Sequence, residues 1–374
     1  MNNDLLRSYQ QYRWQQQNGF LRLSILTKIG LSFIFFLVLL YSLFPRKKIS
    51  CTKVAIVDYG QTETLRTVYI TLDLPSIENK TLRKTLPYLP DIFFKDLLDA
   101  CSEEWRFVAK NLPFLGVLAL RCGQYYGAVQ KQQIKNLIVM QEYSYYMSYL
   151  TRLLEYEEKH LFNIMHGIPG KEASYFRFTR CFVWGEYFKN YYIANHADPE
   201  QFIISGSIYH QSLKDLSPLE ATIDILYMMQ GDEDWVISHD ELAETFQILE
   251  TLCSQFKIIC KRHPLYPNQF IPPSLSIAEG SPTKLIQNSK IVLSHHSTSL
   301  LDALVLGKHP LAFVKRDRED MLHFLPKEAI ITTKEMLLTT LLVLLDHHKM
   351  STIKSVIDNR DASNIILQTL KGFK

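Results

Sequence analysis

The feature that most constrains this chain is an alternation of short apolar runs with helical periodicity. KVAIVDYG (53–60), IKNLIVMQE (134–142), LFNIM (161–165), CFVW (181–184) and QFIIS (201–205) are separated by segments such as YMSYLTRLLEYEEKH (146–160). After a polar stretch from His210 to Ala221 the pattern restarts with TIDILYMMQ, FKIICKRHP, KIVLS and PLAFV, separated by helical patterns over Asp240–Gln255, PTKLIQNS and Thr298–Leu306. Apolar runs without in/out alternation are buried on both faces, and strands joined by helices run parallel. A chain of 374 residues is also too long for one core. The restart after about residue 215 therefore predicts an α/β protein of two doubly wound Rossmann-like domains facing a cleft. The expected boundaries are an N-terminal segment 1–48, a first domain 49–215 and a second domain 216–374. The stretch Thr71–Cys122, interrupted by Pro75, Pro87, Pro90 and Pro113, is ambiguous, and Gln61–Ala128 carries no motif.

The N-terminal segment departs from this pattern. Sixteen residues, Ile29–Phe44, pass without a charge, and Ser24–Thr27 lengthens the run if Lys28 snorkels. Roughly 17–25 residues cross a bilayer, so the run predicts a single transmembrane helix over about residues 24–44. Arg46, Lys47 and Lys48 close it, and no small-residue cleavage site follows. Cationic residues balance on its two sides and leave the orientation open. The six scattered cysteines, with no CxxC pair, read as reduced and place the catalytic body on the cytoplasmic side. A net charge of +3 with no basic helix and no RNA-binding signature excludes nucleic acid as a partner.

In open parallel sheets, ligands bind beyond the carboxyl ends of the strands. The polar residues of this chain collect there: His166-Gly167, Gly185, Gly206-Ser207, Lys261-Arg262-His263-Pro264, and the run Ser294-His295-His296-Ser297-Thr298-Ser299. Ser297, Thr298 and Ser299 open a helix, where unpaired N–H groups and the dipole favour an anion. Capping alone explains one of these hydroxyls, and six polar residues exceed what one cap requires. His263, beside Lys261 and Arg262, reads either as a turn residue before proline or as a phosphate ligand. No histidine spacing matches a metal site, so no cofactor or metal is expected.

Taken in order, MHGIPGK, FVWGEYFK, IISGS, KRHP and SPTKLIQNSKIVLSHHSTSLLDALVLGKHPLAF resemble the GT-B superfamily over roughly Ile134–Val314. Within it the pattern is similar to bacterial surface-carbohydrate enzymes: capsule-type glycosyltransferases, polysialyltransferases and CDP-glycerol glycerophosphotransferases. The resemblance implies that His263 and Ser297, Thr298 and Ser299 hold the phosphates of a nucleotide-activated donor, and that His166 faces the cleft from the first domain. The acidic D/E-D/E-G motif of polysialyltransferases has no counterpart before His166, and Ser294-His295-His296 stands where glycerophosphotransferases carry an acidic residue.

The reaction implied is metal-independent transfer of a sugar or polyol phosphate to an acceptor hydroxyl of a glycan or glycolipid, in surface polysaccharide synthesis. Lys261, Arg262, His263 and the 297–299 helix start would stabilise the leaving phosphate. His166 or Glu142 would serve as general base. Two alternatives keep the fold: a nucleotide-sugar 2-epimerase, and a catalytically degenerate GT-B assembly subunit.

Overall fold

A computed structural model of the chain describes all residues except 1, 18–20, 22, 44–50, 60–62, 171–175, 217–218, 232–236, 264–265, 316–321, 347–355 and 374. Phe44, Arg46, Lys47, Lys48, Lys171 and Pro264, named above, lie outside the described residues. The chain divides into two compact units, Met1–Tyr209 with Ile357–Lys374, and His210–Val356.

Unit 1 is built on a six-stranded sheet of β1 (Lys53–Asp58), β2 (Ser76–Glu78), β3 (Ile134–Val139), β4 (His160–Ile164), β5 (Arg180–Val183) and β6 (Phe202–Ile204). The strand order is β2-β1-β3-β4-β5-β6 and every neighbouring pair is parallel. Its apolar strands are buried on both faces, as their unalternated composition demands. The core joins Ile56, Ile138, Phe162 and Phe182 to Ala362, Ile366 and Leu370 of the C-terminal helix Ala362–Gly372. Those three residues recur every four positions and present one apolar stripe, which the sheet of unit 1 covers. The sequence boundary of 216–374 therefore differs from the observed division, because the tail returns to the first unit.

Unit 2 carries a second six-stranded parallel sheet of β7 (Ile223–Met228), β8 (Ile258–Lys261), β9 (Ser276–Ile277), β10 (Ser289–Ser294), β11 (His309–Phe313) and β12 (Ile330–Ile331). Its order is β12-β11-β10-β7-β8-β9. Helix His239–Leu252 begins with a reciprocal capping box between Ser238 and Glu241 and packs its apolar side on this sheet. Two six-stranded parallel sheets with flanking helices have the two-domain α/β architecture of the GT-B fold.

The segment before β1 is part of unit 1. Helix Asn3–Gln17 packs on helix Met147–Tyr156. Ser8 Oγ accepts the Tyr149 main-chain N–H (3.2 Å), and Arg177 Nε donates to Asp4 Oδ1 (2.8 Å). Tyr9 and Tyr12 pack edge-on or tilted against Phe107 and Phe114 at 4.8–5.4 Å between ring centroids. The apolar helix Ile25–Ser42 then packs along helix Leu112–Gln132. Phe35, Val38 and Ser42 are buried there, and Ser42 Oγ accepts the Leu89 N–H (3.1 Å). The segment that matched no sequence pattern supplies this support through helices Asp91–Lys110 and Leu112–Gln132, while its helix Glu63–Leu72 packs on β1 and the C-terminal helix.

Gly116 sets how closely the two helices meet, because a Cβ there would lie 2.0 Å from the Leu31 carbonyl oxygen. That oxygen is backbone and cannot swing aside. Gly116→Ala is expected to cost about 1–3 kcal/mol of unfolding free energy, as overpacking does. Gly30→Ala, with nothing within 4 Å of its Cβ, is expected to leave stability unchanged or raise it. Denaturant midpoints of the two variants compare them directly, and equal midpoints would show that the helices do not press together at Gly116.

Candidate active site

In unit 1 the structure joins the two candidate bases into one pair. Glu142 follows β3, His166 follows β4, and these strands are neighbours in the sheet. The Glu142 side chain is buried, and its Oε2 lies 2.8 Å from His166 Nδ1 while its Oε1 accepts the His166 main-chain N–H (3.0 Å). A carboxylate only accepts, so Nδ1 carries the proton and Nε2 of the neutral ring is left as the basic nitrogen. The His166 side chain is 32% exposed, which makes it the reachable member of the pair. Burial lowers the His166 pKa, and the charge and hydrogen bond of Glu142 outweigh it and raise it above 6.5. The sequence left the two as alternatives. The geometry makes His166 the candidate base and Glu142 the group that fixes its tautomer.

Around His166 the ends of three adjacent strands form a recess lined by His166, Trp184, Gly206 and Ser207. Gly206 has a φ of +81°, and a Cβ there would lie 3.0 Å from the Asp358 carbonyl oxygen, so the returning C-terminal chain requires glycine at this corner. Main-chain N–H of Asp358 donates to the Trp184 carbonyl oxygen (2.9 Å) and ties that chain to the same edge.

In unit 2 the predicted phosphate ligands sit at the ends of β8 and β10, with β7 between them. Lys261 Nζ lies 3.6 Å from Glu279, and Arg262 Nε donates to the Gln269 carbonyl oxygen (3.0 Å), which closes the loop after β8. The His263 ring packs at 5.6 Å from that of Tyr266, and burial pushes its pKa down. The polar run after β10 divides in two. Ser294 Oγ donates to the Met228 carbonyl oxygen (2.7 Å). The buried His295 donates from Nδ1 to the Phe313 carbonyl oxygen (2.7 Å) and accepts at Nε2 from the Tyr227 hydroxyl (2.8 Å). Burial pushes the Tyr227 phenol well up, so it stays a donor. These two residues cross-link β7, β10 and β11, and the excess of polar residues in the run is partly structural. Ser297 Oγ accepts both the N–H (3.2 Å) and the hydroxyl (2.8 Å) of Ser299, and the N-cap Thr298 is exposed with no side-chain cap bond. Among the described residues no group of three or more His, Cys, Asp or Glu side chains is placed to hold a metal ion.

No protein-family model and no curated protein matches the chain. Solved structures do. UDP-GlcNAc 2-epimerase from Neisseria meningitidis, bound to UDP-GlcNAc, superposes with a TM-score of 0.55 at 14% identity over 86% of this chain and 100% of its own. The UDP-GlcNAc 2-epimerase of Methanocaldococcus jannaschii, with UDP-GlcNAc and UDP, gives 0.54 at 13% identity over 86% and 100%. UDP-N-acetylglucosamine 2-epimerase of Rickettsia bellii gives 0.53 at 13% identity over 87% and 97%. At these identities the likeness is one of fold.

The raised pKa of His166 has a pH signature. A folded value above 6.5 gives the imidazolium–carboxylate pair a stabilising contribution that is fully present below pH 6.5 and lost as pH rises through the folded value. NMR titration of His166 should give a midpoint above 6.5, and Glu142→Gln should bring it down. An unchanged midpoint in that variant would remove Glu142 as the cause.

Proposed function

We propose that this chain is a nucleotide-sugar enzyme, and specifically a glycosyltransferase that moves a sugar or polyol phosphate from a nucleotide-activated donor to an acceptor hydroxyl. The observation that carries the reading is the reachable His166 imidazole held by the buried Glu142 carboxylate (2.8 Å). For a sugar donor, Nε2 takes the acceptor hydroxyl proton as the acceptor oxygen bonds to the anomeric carbon. The bond from that carbon to the donor phosphate oxygen breaks, and the nucleotide leaves with the electron pair. Glu142 stabilises the imidazolium that forms, as the carboxylate of a hydrolase triad does. Lys261, Arg262, His263 and the hydroxyls of Ser297, Thr298 and Ser299 are assigned to the donor phosphates, where negative charge grows. The acceptor is a glycan or glycolipid of surface polysaccharide synthesis.

A second reading, epimerisation of a nucleotide sugar at C2, is favoured by one observation: the solved structures that superpose on the chain with TM-scores of 0.53–0.55 are named UDP-GlcNAc 2-epimerases. Inversion at carbon removes a proton from one face of the sugar and returns one to the other, which calls for two acid–base groups. The His166–Glu142 pair exposes one acid–base group, the His166 ring, and transfer needs one.

A thermal-shift panel of CMP, CDP, UDP, GDP and their sugars identifies the donor, because ligand binding to the folded state raises the melting temperature. Nucleotide release that requires an acceptor glycan supports transfer. Appearance of the C2 epimer without acceptor establishes the second reading, and binding without either product leaves an assembly subunit. His166→Ala is expected to lower kcat about 10²–10⁴-fold with nucleotide affinity unchanged, and the wild-type rate should rise with pH through the His166 pKa. His263→Ala should do the reverse, weakening nucleotide binding by about 1.5–3 kcal/mol. A His166 variant with full activity would end the assignment of the base.

A further inference from the structure

The apolar helix Ile25–Ser42 is long and apolar enough to cross a bilayer, yet the chain on each side of it belongs to one packed unit. Helix Asn3–Gln17, before it, is bonded to Tyr149 and Arg177 and packed on Phe107 and Phe114. Strand β1, after it, lies inside the sheet between β2 and β3. A spanning helix would put these two segments on opposite sides of the membrane, and unit 1 would have to come apart. Along the helix, meanwhile, one face is buried on helix Leu112–Gln132 and the other is open. Leu26, Ile29, Phe33, Leu37, Leu40 and Leu43 are 48–81% exposed and recur at three- and four-residue intervals, which makes one continuous ridge. A ridge of this length on a folded domain marks an interaction surface.

Charge decides the partner. At the start of this helix a cavity of about 210 Å³ is lined by Arg13, Lys28 and Lys110 with Gln16 and Asn111. The three cations come from three different helices. Arg13 interacts with the Tyr9 ring and hydroxyl, and among the described residues no carboxylate is paired with Arg13, Lys28 or Lys110. We propose that unit 1 docks on an anionic phospholipid surface, with helix Ile25–Ser42 lying in the membrane plane, its apolar ridge among the acyl chains and the Arg13–Lys28–Lys110 cavity holding a lipid phosphate. In-plane helices sink their apolar face about 5–10 Å into the boundary between headgroups and chains. Snorkelling lysines and arginines at the edge of such a face reach the phosphates. The chain is monotopic, and the span expected from hydropathy is replaced by a helix that keeps both its neighbours on one side. This inference is independent of the reaction proposed above.

The full chain is added to sealed vesicles of phosphatidylcholine alone and of phosphatidylcholine with 30% phosphatidylglycerol by the general practice of surface-charge comparison. Sedimentation is expected to show stronger binding to the anionic vesicles. Removing cations as Arg13→Gln, Lys28→Gln and Lys110→Gln should weaken the anionic preference about fivefold for each, at roughly the contribution of one cation near a charged surface. The ridge variant Phe33→Ser with Leu37→Ser should lose both vesicle types while keeping its melting temperature. Inorganic phosphate at millimolar concentration should not release the wild type, and release by it would assign the cavity to a soluble anion instead. A membrane-impermeant thiol reagent added outside should label Asn3→Cys and Glu200→Cys of vesicle-bound protein alike, each above the labelling of the unsubstituted chain. Protection of one of these exposed positions and not the other would establish a span and overturn the proposal. A ridge that instead forms a dimer in solution, with no vesicle binding, would overturn it as well.

Discussion

A carboxylate buried beneath the surface of unit 1 governs how its candidate site is built. An ionised carboxylate away from water is costly unless its oxygens are filled. Glu142 has both filled by one residue, Oε1 by the His166 main-chain N–H and Oε2 by His166 Nδ1. The same contact therefore fixes the backbone where β4 ends and the ring that leaves it. The loop carrying Glu142 is held in turn. Gln141 N–H donates to Asn163 Oδ1 of β4 (2.9 Å), and the Tyr143 hydroxyl donates to the Ile168 carbonyl oxygen. Gln11 Nε2 donates to the Glu142 carbonyl oxygen (3.1 Å) and Gln15 Nε2 to that of Tyr143 (2.6 Å). Helix Asn3–Gln17 thus braces the loop whose Glu142 orients the His166 ring. A segment that reads as an appendage in sequence is a support of the site.

Unit 2 shows the opposite use of a polar cluster. His295 and Ser294 spend their hydrogen bonds on main-chain carbonyls of β11 and β7 and on Tyr227. Buried polar groups in a sheet are tolerated only when every donor and acceptor is used, and used in this way they set which strands meet. What remains available for a ligand is narrower than the sequence run implied. The N–H groups expected to be free at the start of helix Ser299–Val305 are already bonded, that of Ser299 to Ser297 Oγ, that of Leu300 to the Ser297 carbonyl oxygen and that of Leu301 to the Thr298 carbonyl oxygen, which leaves the exposed Thr298 hydroxyl as the open group of the run.

The parallel strands were legible because each is a short, unbroken apolar run between turn residues, and such runs are nearly always interior strands. β3, β4, β7 and β10 lie where that rule places them. Residues 61–128 were not legible for an equally physical reason. The helix Leu112–Gln132 is apolar on most sides and carries Gly116, Gly123 and Gly127, so its periodicity is blurred and its glycines look like breaks. Each of those glycines accepts close backbone from elsewhere: Leu31, Tyr88 and Leu86 respectively. That information resides in the partner segments, and no local window contains it. The pairing of Glu142 with His166 was hidden in the same way, since 24 residues separate them and only the register of β3 against β4 brings them together.

Hydropathy reads a helix alone, and that explains why Ile25–Ser42 scores as a span. Transfer from water favours any apolar helix entering any apolar medium, whether lipid or protein, and the score does not say which. Topology adds what the score lacks. A helix crosses a membrane only if its two flanks can separate, and here the flanks are tied by Ser8, Asp4, Tyr9 and Tyr12 on one side and by the β1 ladder on the other. Pulling them apart would expose the aromatic cluster and leave the Glu142 loop without Gln11 and Gln15. The helix therefore divides its apolar surface, one face to Leu112–Gln132 and one outward. The outward face lies on the same unit as the His166–Glu142 pair.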